Sequence, residues 1–288
     1  MRLALPALLA GCVATAPGDG DLRAYYRVAE ENMLAQGKLR TDTEPADAPF
    51  TYAQLQEDFV RIALYDEYSV RGGRFVAGAT PAMLRRWESP VRVAVVAGAS
   101  VPEGQRKRDT AMVRDFTRRL AAVTGLDMRL APEARANMVV LFLDAAERAQ
   151  YAETLAARYP RVEPAVVDAI AKSPPNTFCA AFAFPSDSNP GVYDFSLILV
   201  KAEHSDLMRQ SCVHEEMAQA LGLPNDSPTA RPSIFNDDEE FAFLTLHDEI
   251  LLKMLYDPRL RAGMKAADVM PLLPEIARDA ARALGNPN

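Results

Sequence analysis

Histidine, cysteine and tryptophan are scarce in this chain of 288 residues, which has three histidines, three cysteines and one tryptophan. The histidines stand at positions 204, 214 and 247, so none of them form the H-E-x-x-H pair that grips zinc in many hydrolases. A phosphate-binding glycine loop, a nucleophile elbow and a C-x-x-C pair are also missing. These absences argue against the common zinc peptidases, P-loop enzymes, α/β-hydrolases and dithiol oxidoreductases.

Basic residues are outnumbered by acidic ones, and the formal net charge is −7. The densest basic run, Arg106 to Arg108, is explained by a solvated helix start, and no basic cluster is interleaved with aromatics. Nucleic acid is therefore not expected as a partner. A hydrophobic content of 49% with 25% charged residues is typical of a globular protein.

The N-terminus has the features of a secretory signal. Residues 1–11 contain one arginine, a short apolar run and small residues, and the run is too short to span a bilayer. Residues 9–12 read LAGC, which resembles the lipobox of bacterial lipoproteins. That resemblance implies lipidation of Cys12, a tether over residues 12–21 and a place in the cell envelope, at the outer membrane facing the periplasm. The alternatives are an ordinary cleaved signal or the buried start of a first helix.

Two cysteines, Cys179 and Cys212, remain after the predicted lipid-bearing one. An even pair in an oxidising compartment predicts a disulfide, which would tie the middle of the chain to a later helix. The alternative is two buried free thiols.

The order of predicted elements indicates an α+β fold with a mixed, mostly parallel sheet. Residues 22–90 are predicted as a helical N-terminal extension, with Thr51 as a helix N-cap. A buried strand, a helix, four more strands and a long helix after Ser205 follow within 91–258. Thr245 and Asp248 form a predicted capping box, and residues 259–288 are predicted as a C-terminal helical extension.

The stretch 215–226, EEMAQALGLPND, reads as the end of that long helix followed by a glycine and a proline that stop it. This stretch resembles the zinc helix of metzincin proteases such as the matrixins, H-E-x-x-H-x-L-G-L-x-H, with every histidine replaced. The resemblance puts Glu215 and Gln219 at the helical ligand positions and Asn225 at the third. Glu216 falls at the position of the general base. It implies a zincin-like domain over residues 91–258.

His214 does not restore the zinc motif in another register. Alanine stands where its partner histidine should be, and His214 points roughly 140° away from Gln219 at about 100° of rotation per residue. His204 and His247 are interpreted as surface or capping residues.

A further resemblance covers nearly all of the mature chain. It is to a family of bacterial putative lipoproteins, domain of unknown function 2927, and implies no known activity. Five segments carry this resemblance: Asp47–Thr51, Arg85–Arg92, Leu221–Asp226, Pro232–Asn236 and Leu255–Arg259.

Two functional hypotheses follow from the replaced ligands. In the first, a lipid-anchored envelope protein keeps a degenerate, non-catalytic zincin-like domain that binds a protein or peptide partner and needs no cofactor. In the second, the protein is a divergent metallohydrolase or peptidase with Glu216 as general base. Zinc is not expected, because carboxylate and amide oxygens suit hard divalent cations better. The metal ligands would then be Glu215, Gln219 and Asn225, within a binding cluster that also contains Asp226 and Asn236.

Overall fold

The computed structural model describes residues 19–72, 74–236 and 238–286. The predicted signal at 1–11 and the predicted lipidation site Cys12 lie outside the described residues. Within those ranges, every helix is too short or too polar to serve as a membrane span.

The N-terminal segment is only partly helical. Helix α1 covers Asp19–Ala35 and α2 covers Tyr52–Ala63. Thr51 caps α2 as predicted, and Gln54 completes a capping box. Strands β1 (Tyr65–Arg71) and β2 (Arg74–Pro81) then form an antiparallel hairpin, where the sequence analysis expected a helical extension. Aromatic and β-branched residues on both sides of the turn at Gly72 favour this hairpin.

A six-stranded, mostly parallel sheet forms the centre of the protein. The strands run in the order β3, β8, β6, β4, β5, and β7 pairs with β8. Their ranges are β3 Arg86–Trp87, β4 Val91–Ala97, β5 Met128–Leu130, β6 Met138–Leu143, β7 Cys179–Ser186 and β8 Asn189–Lys201. β7 is antiparallel to β8 and lies on the side of β8 opposite β6, because both pair with the same residues of β8. β7 is therefore an edge strand, and the predicted α+β class with a mostly parallel sheet is confirmed.

Helices cover both faces of this sheet. One face packs against α3 (Glu103–Thr124) and α6 (Asp206–Gln219), and α2, α7 (Leu246–Leu255) and α9 (Leu273–Ala283) complete the core on that side. The other face packs against α4 (Ala145–Arg158) and α5 (Pro164–Ala171). The short α8 covers Ala266–Val269. The sequence of β6 explains why both faces of the sheet are covered. MVVLFL is apolar at every position, and its alternate side chains enter two separate cores. Thr245 and Asp248 form the predicted capping box of α7.

Two of the histidines are buried, so their interpretation as surface or capping residues was wrong. His204 and His247 are 2% and 0% exposed. Burial lowers the pKa of His204 to about 3. Burial also opposes charge on His247, but the carboxylates of Asp248 and Asp58 outweigh it and raise its pKa to about 9. The His247 Nε2 atom lies 3.0 Å from Asp58 Oδ2, in a buried ion pair between α7 and α2.

Candidate functional site

Helix α6 carries the central residues of the site. Ser205 caps its start by accepting the backbone N–H of Met208 at 3.1 Å. Its apolar face, with Val213 and Met217, is fully buried in the larger core. Because side chains three and four positions apart share a helical face, Cys212, Glu215 and Gln219 lie together on the other side, with Glu216 at its margin.

The end of α6 is held by side chains from distant parts of the chain. Trp87 Nε1 donates to the carbonyl oxygen of Ala220, and Tyr256 Oη donates to that of Leu221, both at 2.8 Å. Gly222 has φ +124°, and a Cβ at this position would stand 2.1 Å from the backbone oxygen of Arg85. Only glycine fits there, because both its conformation and the close approach of backbone exclude a side chain.

The predicted disulfide between Cys179 and Cys212 is confirmed, and the alternative of two free thiols is wrong. The two Cα atoms are 5.7 Å apart, and 33 residues separate the cysteines in sequence. Cys179 begins β7 and Cys212 lies one turn before the two glutamates, so the bridge fastens the edge strand to the site helix.

Glu215 and Glu216 form a pair of carboxyls that resists ionisation. The pKa of Glu215 is raised well above its usual value, first by burial and then by the neighbouring charge of Glu216. Burial likewise raises the pKa of Glu216, with Asp226 and Glu67 adding to the effect, while the backbone N–H of Ala181 partly offsets it. The pair therefore retains protons at a pH where ordinary glutamates have lost them.

A cleft of about 860 Å³ lies beside this pair. Residues from β7, α5, α6 and the β1–β2 hairpin line it, including Phe182, Glu215, Glu216 and Gln219. The disulfide lies on its wall, because both cysteines are among the lining residues. The edge of β7 and the polar face of α6 thus border one open space.

The structure brings part of the predicted cluster together. Gln219 Nε2 donates to Asp226 Oδ1 at 3.2 Å, and both residues line the cleft with the glutamates. Asn225 does not join them, because its Nδ2 donates to the carbonyl oxygens of Arg61 and Asp226, each at 2.8 Å, and it lines a different cavity. Asn236 is also elsewhere, with its Nδ2 on the carbonyl oxygen of Ala230 at 2.7 Å.

Zinc, which the metzincin resemblance implies, does not fit these residues. Three candidate ligand atoms lie within 4.8 Å of one another, one each from Cys179, Glu215 and Glu216. The sulfur belongs to the disulfide and is not a thiolate, and zinc prefers imidazole and thiolate donors. His214 is occupied in the core, where its Nδ1 accepts the N–H of Leu244 at 3.1 Å and its ring stacks on Phe116 at 4.0 Å.

Three cleft residues were missed by sequence reasoning. Glu67 and Tyr68 come from the hairpin, and Glu239 comes from the loop before α7. The charges of Glu67 and Glu239 raise the pKa of Glu215, and the pKa of Tyr68 is itself raised. Burial first, and then the charge of Glu67, raises the pKa of Tyr68 to about 12. No local signal points to Glu67 and Tyr68, because the hairpin lies about 150 residues before α6 and no periodicity connects the two. Glu239 stands in the acidic run 236–240, which could have been weighed as part of the site.

The fold and the site together define a class: an α+β domain with a disulfide-fastened edge strand beside an acidic cleft. Residues 52–275 match the family described as "Protein of unknown function (DUF2927)", and the chain belongs to that family. No curated protein and no solved structure matches the chain.

Proposed function

We propose that this protein is a lipid-anchored component of the cell envelope whose zincin-like domain binds an extended segment of a protein or peptide in the cleft without hydrolysing it. The zincin-like assignment is supported by the element order from β4 to α6, by the abrupt end of α6 at Gly222, and by the cleft beside it. The loss of hydrolysis is supported by the donor set, which offers zinc no nitrogen and no thiolate.

The free edge of β7 is the observation on which the binding proposal rests. No other strand in the described ranges pairs with this edge, which borders the cleft. The N–H of Ala181 points away from β8 toward Glu216. Ala183 has the same direction, because its neighbour Ser196 donates its N–H to Asn137 O at 2.8 Å and not to β7. Apart from the N–H of Ala181, which the Glu216 carboxyl occupies, such an edge is a template for an added strand, with backbone hydrogen bonds providing affinity.

Ala183→Pro tests this proposal, because proline removes an N–H from the free edge without removing a bond to β8. The full chain is incubated with a degenerate decapeptide pool, and retained peptides are quantified by mass spectrometry after gel filtration. We expect the parent to retain peptides intact, Ala183→Ser to behave like it, and Ala183→Pro to retain about tenfold less. Equal retention by all three chains, or none by the parent, would contradict the proposal.

The same experiment decides the alternative of a divergent hydrolase with Glu216 as general base. A raised pKa is compatible with that role, because burial tunes the pKa of many general-base glutamates upward, so the peptide pool decides between the two functions. Cleaved peptides in the pool, absent when Glu216→Gln is used, would establish the hydrolase and overturn the non-catalytic proposal.

The proposed lipid anchor depends on Cys12. We expect a palmitate analogue to label the parent in cells and the protein to fractionate with membranes. Cys12→Ala should lose both properties, while the control Cys179→Ala/Cys212→Ala should keep the label. An unlabelled parent would show that the chain carries no lipid at this cysteine.

A further inference from the structure

The cleft is strongly acidic. Eight of its lining residues are acidic and two are basic. Both basic residues already have partners, since Arg85 lies 2.5 Å from Asp66 and Lys172 lies 3.0 Å from Asp168. Among the other six acidic residues, Glu67, Asp226 and Glu239 act by their charge on the Glu215–Glu216 pair. A cleft with this balance attracts cationic ligands and repels anionic ones.

Glu216 supplies a second, independent indication of a ligand. Its side chain is 5% exposed, and its Oε2 atom is buried without a hydrogen-bond partner among the described residues. A buried carboxyl oxygen without a partner costs free energy, so it requires an explanation. Because Glu216 lines the cleft, a donor entering the cleft can provide the missing hydrogen bond.

The surroundings suit an organic cation better than a metal ion. A hard divalent ion needs six or more oxygen ligands, whereas among the acidic side chains of the described residues only Glu215 and Glu216 contribute oxygens to the group within 4.8 Å. The disulfide forms an apolar surface beside the carboxyls, because the sulfur of Cys179 lies within 4.8 Å of an oxygen of each glutamate. A lysine or arginine side chain matches both features, because its aliphatic stem packs on apolar surface while its charged end meets the carboxylates.

Strand pairing would deliver such a side chain to the right place. The carboxyl of Glu216 interacts with the N–H of Ala181, in the middle of the free edge. A segment laid along β7 therefore passes next to Glu216, and the residue opposite Ala181 has the shortest reach to the carboxyl pair.

We infer that the Glu215–Glu216 pair recognises the side chain of a lysine or arginine in an extended segment bound along β7. This inference rests on the proposed function and specifies its ligand as a basic segment. Ionisation of the pair on binding supplies the negative charge, and the guanidinium or ammonium donates to Glu216 Oε2.

Two peptides that differ only in charge test the inference: acetyl-Thr-Val-Arg-Val-Thr-amide and its twin with citrulline in place of arginine. We expect calorimetry on the full chain to give about 10- to 100-fold tighter binding of the arginine peptide, the range of a hydrogen bond to a charged group. Glu215→Gln and Glu216→Gln should each reduce this preference strongly. Glu153→Gln, which removes an exposed carboxylate of α4 outside the cleft, should keep it.

The outcomes separate this inference from the proposed function. Equal binding of both peptides, lost in Ala183→Pro, would retain the peptide-binding proposal and overturn recognition of the basic side chain. Binding of neither peptide would overturn the inference, while the degenerate pool still tests the proposed function. Stoichiometric binding of Mn²⁺ that depends on Glu216 and blocks the arginine peptide would identify a metal site instead, and would also overturn it.

Discussion

Replacing Glu215 and Glu216 together by glutamine is expected to increase the free energy of unfolding at neutral pH and to change it little near pH 4. Burial and mutual repulsion raise the pKa of the pair above the ordinary value of 4.5. Above that value the unfolded chain releases protons that the folded chain keeps. The parent therefore loses stability as pH rises from the unfolded toward the folded pKa, by about 1.4 kcal/mol per pH unit for each retained proton.

Glutamine removes this loss, because it has no proton to release. The difference between variant and parent should grow above pH 4.5 by about 1.4 kcal/mol per pH unit for each proton that the folded pair retains, measured by urea unfolding across the pH range. The free energy of the parent is subtracted from that of the variant at each pH, because other carboxylates also make both chains depend on pH. One example is Asp47, whose pKa is lowered to about 2 by Arg40. The control Glu163→Gln/Asp168→Asn removes two exposed carboxylates and should show no such trend. If the free energy of unfolding changed with pH in the same way for parent and variant, the protonation of Glu215 and Glu216 would not be linked to folding.

The same substitutions separate stability from binding. If the pair is a recognition site, the double variant is more stable and binds the arginine peptide less well, which is the usual cost of a site that keeps unfavourable groups for function. If the pair is only structural, stability changes while peptide preference does not. The two measurements together thus distinguish a binding site from a buried structural cluster.

The sequence predicted the local features of the site well. The caps at Thr51, Ser205 and Thr245 are short-range patterns, and each forms as expected. β6 is one of the four strands predicted between the first helix of this region and the long helix, and the pairing of Cys179 with Cys212 followed from cysteine number and from the predicted oxidising compartment. These features depend on neighbours in sequence or on a choice among very few partners.

Contacts between residues that are distant in sequence could not be predicted from such local patterns. Asn225 was expected beside the glutamates, but its amide is drawn to the carbonyl oxygen of Arg61 at the end of α2. That contact exists only because α2 packs close to the turn after Gly222, which no local pattern encodes. His247 shows both cases, since Asp248, the first carboxylate that raises its pKa, is its neighbour in sequence, whereas the second, Asp58, comes from a helix 189 residues away.

Removing the disulfide with Cys179→Ala/Cys212→Ala is expected to lower the free energy of unfolding by about 3 to 4 kcal/mol. The bridge closes a chain segment of 33 residues, and the lost restraint on the unfolded chain has this magnitude for loops of such length. Chemical unfolding without reductant measures it, and reduced parent should match the untreated variant. Cys12→Ala, which removes a cysteine outside the bridge, should leave the stability unchanged.

The disulfide should also matter to the cleft, because it joins the start of β7 to the turn of α6 before Glu215. Without it, the edge strand keeps its pairing with β8 but loses its covalent connection to the site helix. We therefore expect weaker peptide retention in the double alanine variant, even at temperatures where it is fully folded. The arginine-over-citrulline preference should fall with it, since that preference needs β7 and Glu216 at a fixed separation. Unchanged retention and preference would show that sheet and core packing alone set the geometry of the cleft, and that the bridge only stabilises the fold.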